Sequence, residues 1–423
     1  MSEHDRIINI SQSPITFGRG ALVETGDIAR SFGLTRVLLM TDPHMAASAH
    51  VDTVRHSLSA AGLQVEIYAG CEVEPTDRSL MVASRALGDS SAEGIVSVGG
   101  GSVMDTAKAA NLYATHPAEF LDYVNAPIGK GIRPPGPLRP HIACPTTCGT
   151  GSECTGIAVF DLLSMKAKTG IMSRRMLPDH AIVDPDATVT LPRTALTSTA
   201  LDALCHAMEA YTCRPASTRE RPATASARPM TQGANRWSDE IAAIAIRGIA
   251  CHFGRAALDP ADDEAREALM WASTMAGTAF GNSGCHVPHA MSYSVSGLVR
   301  DYRPADYPPG PPLIPHGLSV ILNAPAVYRL TGAGAPERHA QLADWLGAAD
   351  DGAPPGERVA RWLVSMMRLA GLPGGLADIG YSPADIPQLV KGALPQRRLL
   401  DNAPAAIDRA RLEDLYAEAM VHS

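Results

Sequence analysis

The sequence predicts an α/β domain built on a parallel sheet, followed by an all-helical domain. Two observations predict it. Up to about residue 190, short apolar runs alternate with helix-like stretches, the rhythm of a parallel sheet covered on both faces. From Pro192 to the end, strand-like runs cease and helical patterns take over. A chain of 423 residues also exceeds what one hydrophobic core serves. The change of pattern divides it into domains 1–190 and 191–423.

The elements of the first half follow in order. An extended segment from residue 8 leads into GRGALVETGDIARSFG, a turn entering a helix. The run Arg36 to Thr41 (RVLLMT) is apolar and short, a buried strand with Asp42-Pro43 at its polar tip. A helix over 47–62, the strand QVEIYAG and a helix over 77–89 come next, and GIVSVGGGS follows. There Gly99, Gly100, Gly101 and Ser102 stand where a strand over 94–98 becomes a helix. Glycines let a backbone approach a pyrophosphate, and a helix N-terminus offers unsatisfied N–H groups to it. This makes the half a Rossmann-like candidate, although the GxGxxG fingerprint is absent and a plain glycine turn would read the same way. Asp105 and Lys108 lie on the first turns of that helix. Asp42, at the end of an earlier strand, stands where an acid can meet ribose hydroxyls, or where it merely caps a turn. Residues 141–156 (HIACPTTCGTGSECTG) read as a strand running into a hydroxyl-rich loop that suits the wall of a nucleotide site. The segments TGIAVFD and Lys168-Thr-Gly-Ile are β-like, and HAIVDP is the last clear strand.

In the second half, helical patterns cover 195–213, 238–256, 262–280, 317–330, 336–347, 355–370, 384–392 and 405–421. Two stretches interrupt them. Residues 214–237 are rich in Arg, Pro and Ser and read as a long exposed loop. Residues 298–315 are Pro-rich and carry Arg300 and Arg303, candidates for a substrate carboxylate. The stretch Asp202-Ala-Leu-Cys-His206 sets a carboxylate and an imidazole four residues apart, on one face of a helix. Later, GCHVPHAMSY carries His286 and His289, and IPHG carries His316. One Asp and three His would make an O/N site for a divalent ion with a position open for substrate. Spacing alone leaves the other reading standing, a capping Asp with scattered histidines.

Composition narrows the class. Hydrophobic residues are 45% and charged residues 19%, an ordinary globular balance. A net charge of -8 gives no reason to expect nucleic acid or an anionic membrane as partner. Eight cysteines without a CxxC pair read as reduced thiols. MSEHDRIINI has no signal-peptide pattern, and no stretch reads as membrane-spanning, so a cytoplasmic enzyme is the expectation.

Taken together, GGGSVMDTAK, PTTCGTGSE, DALCHAMEAY, HVPHAM and PHG, in that order, resemble the iron-containing (group III) alcohol dehydrogenase family over about residues 8–420. The resemblance implies a dehydroquinate synthase-like fold, with a dinucleotide in a cleft between an α/β and a helical domain. By motif it implies metal ligands Asp202, His206, His289 and His316, with Fe(II) favoured and Zn an alternative. It implies cofactor contacts at Asp42, Gly99, Gly100, Gly101, Ser102 and Asp105, along the loop at Thr146, Thr147, Thr150 and Ser152, and at Lys168. NAD is expected over NADP, because a 2′-phosphate would face the Asp42 carboxylate. Within the family, AANLYATHPAEFLDYVNAPIGKG, GNSGCHVPHAMSYSVSGLV and GYSPADIPQLVKGALPQRR resemble the branch that passes hydride from a hydroxy acid to an oxo acid. That implies 4-hydroxybutyrate and 2-oxoglutarate as substrates; a conventional NAD(P)-dependent alcohol dehydrogenase is the alternative. Many members carry a further His four residues after the third ligand, and here that position is Tyr293. Tyr293 and His286 are therefore the candidate proton-handling residues. The expected partners are small-molecule substrates and further copies of the chain, a dimer by expectation, with no feature of the sequence setting the number.

Overall fold

The apolar runs of the first half assemble as six parallel strands. They are β1 (Ile15–Phe17), β2 (Arg36–Met40), β3 (Gln64–Tyr68), β4 (Gly94–Gly99), β5 (His141–Pro145) and, after two strands of a separate hairpin, β8 (His180–Val183). The computed structural model describes residues 4–165, 167–307 and 309–422. The sheet order is β1-β8-β5-β4-β2-β3, with every pairing parallel. The central β4 and β5 are buried throughout, which is why they carry unbroken apolar runs rather than alternation. Side chains still alternate between faces: Val37 and Leu39 enter one core cluster, Leu38 and Met40 the other.

Helices α1 (Thr25–Ser31), α2 (Ala49–Ala60), α3 (Asp77–Asp89), α4 (Gly101–Thr115) and the short α5 (Phe120–Tyr123) accompany these strands. Thr76 begins α3 with a capping box to Ser79. The strand order matters for function. From β2 the chain goes to β3 on one side, then crosses to β4 on the other. In open α/β sheets a ligand crevice forms at the carboxyl ends of strands flanking such a reversal. Asp42 follows β2 and Gly100 follows β4, so both stand at that point. The antiparallel hairpin of β6 (Ile157–Leu162) and β7 (Ala167–Met172) packs on α4.

The sheet and its helices form one unit, Ser11–Thr190; the described residues up to Ile10 belong with the second unit, which starts at Leu191. That second unit is helical: α6 (Arg193–Thr212), α7 (Arg236–Leu258), α8 (Asp263–Ser283), α9 (Val287–Gly297), α10 (His316–Ile321), α11 (Ala324–Gly332), α12 (Pro336–Leu346), α13 (Pro355–Ala370), α14 (Ile386–Ala393), α15 (Arg397–Leu400) and α16 (Arg409–Ala419). The single helix expected over 317–330 is two. Pro325 stands at the start of α11, and proline can neither donate to the preceding turn nor fit against it, so the chain begins a new helix there. Helix α9, which carries His289, falls outside the expected helices, its apolar run being short.

Two further expectations are corrected. Helix α7 is long and apolar enough by composition to cross a membrane. Here it packs against α6 and α8. Its scattered charges, among them Asp239 and Arg247, hid the apolar face from a linear reading. The stretch 214–237 is not simply exposed: Arg228, Met230, Gln232 and Ala234 are buried. Asp5, 2% exposed, accepts from Arg228 at 2.8 Å and Arg219 at 2.7 Å, clasping the start of the chain onto this loop. The Arg228 hydrogen bond is the main force holding the Asp5 carboxyl well below its ordinary range. Asp5→Ala leaves the buried Arg228 without its carboxylate, and such a loss costs about 3 kcal/mol. The urea unfolding midpoint should fall accordingly; an unchanged midpoint would show the clasp to be incidental.

Candidate active site

Helix α6 is the spine of the site in the helical unit. It is rich in Ala and Leu and buried over most of its length, so a polar side chain on it needs a reason. Asp202, His206 and Glu209 lie on successive turns of one face. The stretch expected to gather around Asp202 does so: one ligand atom from each of Asp202, His206, His289 and His316 lies within 4.8 Å of the others. His289 Nε2 is 3.4 Å from Asp202 Oδ1, His316 Nε2 is 4.0 Å from the same oxygen, and His206 Nδ1 is 4.0 Å from Oδ2. The His206 ring stacks between Phe280 at 4.1 Å and His289 at 4.4 Å, which sets its plane.

The surroundings are dry on one side and open on the other. Asp202, His206 and His289 are buried, whereas the His316 side chain is 26% exposed. Both Asp202 oxygens and His289 Nε2 are buried without a hydrogen bond among the described residues. A carboxylate left so is costly. Burial alone would raise the Asp202 carboxyl, but the rings of His206, His316 and His289 bring it down to about 2. Burial pushes His206 down to about 4, so its ring is a neutral donor. One ionised carboxylate with imidazole nitrogens around it is a donor set that fits a divalent cation.

How His316 reaches Asp202 is a matter of one glycine. A Cβ on Gly317 would overlap the Ser198 carbonyl oxygen and sit 2.8 Å from Asp202 Cβ. Only a residue without a Cβ lets the start of α10 come this close to α6. Glu209, which the sequence reading passed over, completes the arrangement. Its Oε1 is 2.6 Å from His289 Nδ1, and its Oε2 accepts the His286 backbone N–H at 2.6 Å. The available signal was an acid in an apolar helix, seven residues after Asp202 and so on the same face.

The proton-handling candidates separate here. His286 is fully buried, with its ring 3.0 Å from Thr212 Oγ1 and its backbone on Glu209. The His286 ring lies between Thr212 and the Tyr328 ring, away from solvent. Tyr293 follows His289 by one turn on α9 and is 7% exposed. Arg300 pairs with Asp385 and lies over the Tyr381 ring, so it is already committed. Arg303 donates to the Pro311 carbonyl at 2.6 Å.

In the sheet unit, the glycine loop and the Thr-rich loop touch. A Cβ on Gly101 would meet Thr150 Cγ2 at 2.6 Å, and one on Gly100 would meet Thr147 Cγ2 at 3.2 Å. The Thr146 N–H donates to the Gly99 carbonyl at 3.0 Å, pinning the loops together. Gly100 precedes the fifteen-residue α4, whose first N–H groups have no partner within the helix. The Thr147 hydroxyl is buried with no hydrogen-bond partner among the described residues, a feature that fits a ligand atom. Ser102 accepts from the Glu74 N–H at 3.2 Å. Asp42 Oδ1 accepts from His44 and Met45 N–H at 2.9 Å, a turn cap that leaves its second oxygen outside the turn.

Three residues expected at the cofactor, Asp105, Ser152 and Lys168, also have partners within this unit. Asp105 accepts from Ser152 Oγ at 2.7 Å and the Val159 N–H at 2.9 Å. The Ser152 hydroxyl also takes Lys108 Nζ at 2.5 Å, and burial lowers that lysine to about 8. Lys168 is buried between Glu74 and Asp161, whose charges raise it well above its ordinary range despite the cost of burial. Glu74 has φ 55, and its ion pair with Lys168 helps hold that backbone strain. Charged side chains beside a loop look alike in sequence whether they face the ligand or hold the loop.

Comparison with known proteins decides the family. Residues 13–185 match iron-containing alcohol dehydrogenase, and residues 229–420 match the C-terminal region of the same family. The chain belongs to the iron-containing alcohol dehydrogenase family. Among its relatives, rat hydroxyacid-oxoacid transhydrogenase, mitochondrial, is 44% identical over 98% of this chain and 90% of its own. The human protein of that name is 42% identical with the same coverage. A probable one from Dictyostelium discoideum is 42% identical over 97% of this chain and 78% of its own. The fold is that of solved family enzymes. The crystal structure of 1,3-propanediol oxidoreductase superposes with TM-score 0.85 at 28% identity, covering 98% of this chain and all of the other, at 100%. Sulfoacetaldehyde reductase from Bifidobacterium kashiwanohense, solved with NAD+, gives 0.80 at 25% identity, covering 98% and 99%. The protein is thus an oxidoreductase of the hydroxy-acid dehydrogenase type. The cytoplasmic expectation is overturned: the rat, cattle and frog (Xenopus laevis) relatives carry a mitochondrial location in their names. A missing leader pattern in the first residues was no evidence against it.

Gly317→Ala should drive α10 away from α6 and weaken metal binding at least tenfold while leaving helix content unchanged. Metal content by mass spectrometry alongside circular dichroism checks this; wild-type metal content would mean that α10 can shift without moving His316.

Proposed function

We propose that this enzyme passes hydride from 4-hydroxybutyrate to 2-oxoglutarate through a bound NAD, giving succinate semialdehyde and 2-hydroxyglutarate. The observation that carries the chemistry is the buried Asp202 carboxylate, without hydrogen bonds among the described residues, amid three imidazoles. The choice within the family rests on the 44% and 42% identical relatives named hydroxyacid-oxoacid transhydrogenase. A divalent ion, iron by family, would supply Lewis acidity toward a substrate oxygen, and the nicotinamide would supply the hydride carrier.

The chain's own residues do the rest. Asp202, His206, His289 and His316 hold the ion, with His316 on the side open to substrate. Gly99, Gly100, Gly101 and Ser102 admit the pyrophosphate to the N–H groups of α4. Thr146, Thr147 and Thr150 line the same loop pair, and Thr147 offers the dinucleotide an unused hydroxyl. Asp42 takes the ribose hydroxyls through the oxygen its turn leaves over, and a 2′-phosphate would meet that negative charge. Tyr293, one turn beyond His289, relays the proton: its hydroxyl accepts the donor's proton while releasing its own to solvent, and the same exchange runs in reverse when the acceptor is reduced. The two half-reactions balance: the donor loses a hydride and a proton, and the acceptor gains both. We place the working enzyme as a homodimer.

Purified Fe(II)-loaded protein given 4-hydroxybutyrate and 2-oxoglutarate, with no NAD added, should form 2-hydroxyglutarate. If nothing forms until NAD is supplied and NADH then accumulates, the enzyme is a conventional alcohol dehydrogenase of the same family. Tyr293→Phe should lower turnover by about 100-fold, the lower range for a proton-transfer group, with KM and metal content preserved. Turnover at the wild-type rate would reduce Tyr293 to a packed aromatic.

A further inference from the structure

Glu209 is a fully buried carboxylate with both oxygens engaged on one short segment. Oε2 accepts from the His286 backbone N–H, and Oε1 faces His289 Nδ1, each at 2.6 Å. A carboxylate can only accept. The His289 Nδ1–H therefore points at Glu209, which leaves Nε2, 3.4 Å from Asp202 Oδ1, as the ring atom facing the ligand cluster. The backbone contact is made at His286, the residue just before α9.

We propose that Glu209 is a positioning residue for the metal centre: it sets the tautomer and the ring orientation of His289. This rests on the reading of Asp202, His206, His289 and His316 as ion ligands. Outer carboxylates of this kind commonly change metal affinity by about 10- to 100-fold. The chemistry of the side chain makes the role separable from simple packing. In Glu209→Gln the amide has the same shape but one acceptor and one donor. If its oxygen keeps the His289 Nδ1–H, its NH2 meets the His286 N–H, donor against donor. If its oxygen keeps the His286 N–H, its NH2 requires a bare Nδ1 on His289. The ring proton then moves to Nε2 and blocks the ligand atom.

The test is titration of full-length metal-free protein with Zn(II) against a competing chelator, wild type beside Glu209→Gln, with circular dichroism on both. The expected result is one tight Zn(II) per wild-type chain and an affinity about 10- to 100-fold weaker in the variant, with equal helix content. Equal affinities would overturn the positioning role while leaving the ion site standing. A wild type that binds no Zn(II) would overturn the site and this role together. Should the variant not fold, 15N-histidine spectra of the metal-free wild type decide: a proton on His289 Nδ1 supports the proposal, and a neutral ring with its proton on Nε2 overturns it.

Discussion

The helical unit is organised around one electrostatic constraint, a carboxylate buried with neither oxygen hydrogen-bonded among the described residues. Asp202 sits in the middle of a buried helix, flanked by Ala200, Leu201, Ala203 and Leu204. Left alone, such a group would pull water in or take up a proton. Here three imidazoles from α6, α9 and α10 converge on it. Most of the local packing can be understood as what that convergence requires. Phe280 stacks on His206, Glu209 braces His289, and Gly317 lets α10 press against α6.

The same logic of close approach governs the sheet unit. A Cβ on Gly101 would crowd Thr150 at 2.6 Å, and one on Gly100 would press on Thr147 at 3.2 Å. The two loops form one surface at the reversal of strand order. Behind that surface lie ionic struts: Asp105 with Ser152 and Lys108, and Lys168 with Glu74 and Asp161. A loop whose working groups are backbone N–H donors has no side chains to hold its shape. The charged residues supply the rigidity from beneath.

Chemistry and scaffold therefore divide along a simple line. Groups that would touch an ion or a nucleotide are unsatisfied or partly exposed, as with Asp202, His316 and Thr147. Groups that hold them are satisfied and buried, as with Glu209, Ser152 and Lys168.

The sequence by itself determined the succession of elements and the order of the motifs. Apolar period and length reveal β2, β4 and β5 because buried parallel strands must be apolar on both faces. The spacing of Asp202 and His206 reveals a shared helix face, because 3.6 residues per turn brings positions four apart together. Only the tertiary structure decided which distant residues complete each group. His289 and His316 join Asp202 across long stretches of chain, and no local periodicity encodes that. The structure alone told Glu209 from a surface acid, committed Arg300 to Asp385, and turned Asp105, Ser152 and Lys168 inward. The physical reason is the same in each case. A side chain's type states which partners it can accept, while its burial and its neighbours, which depend on the whole fold, settle which partner it has.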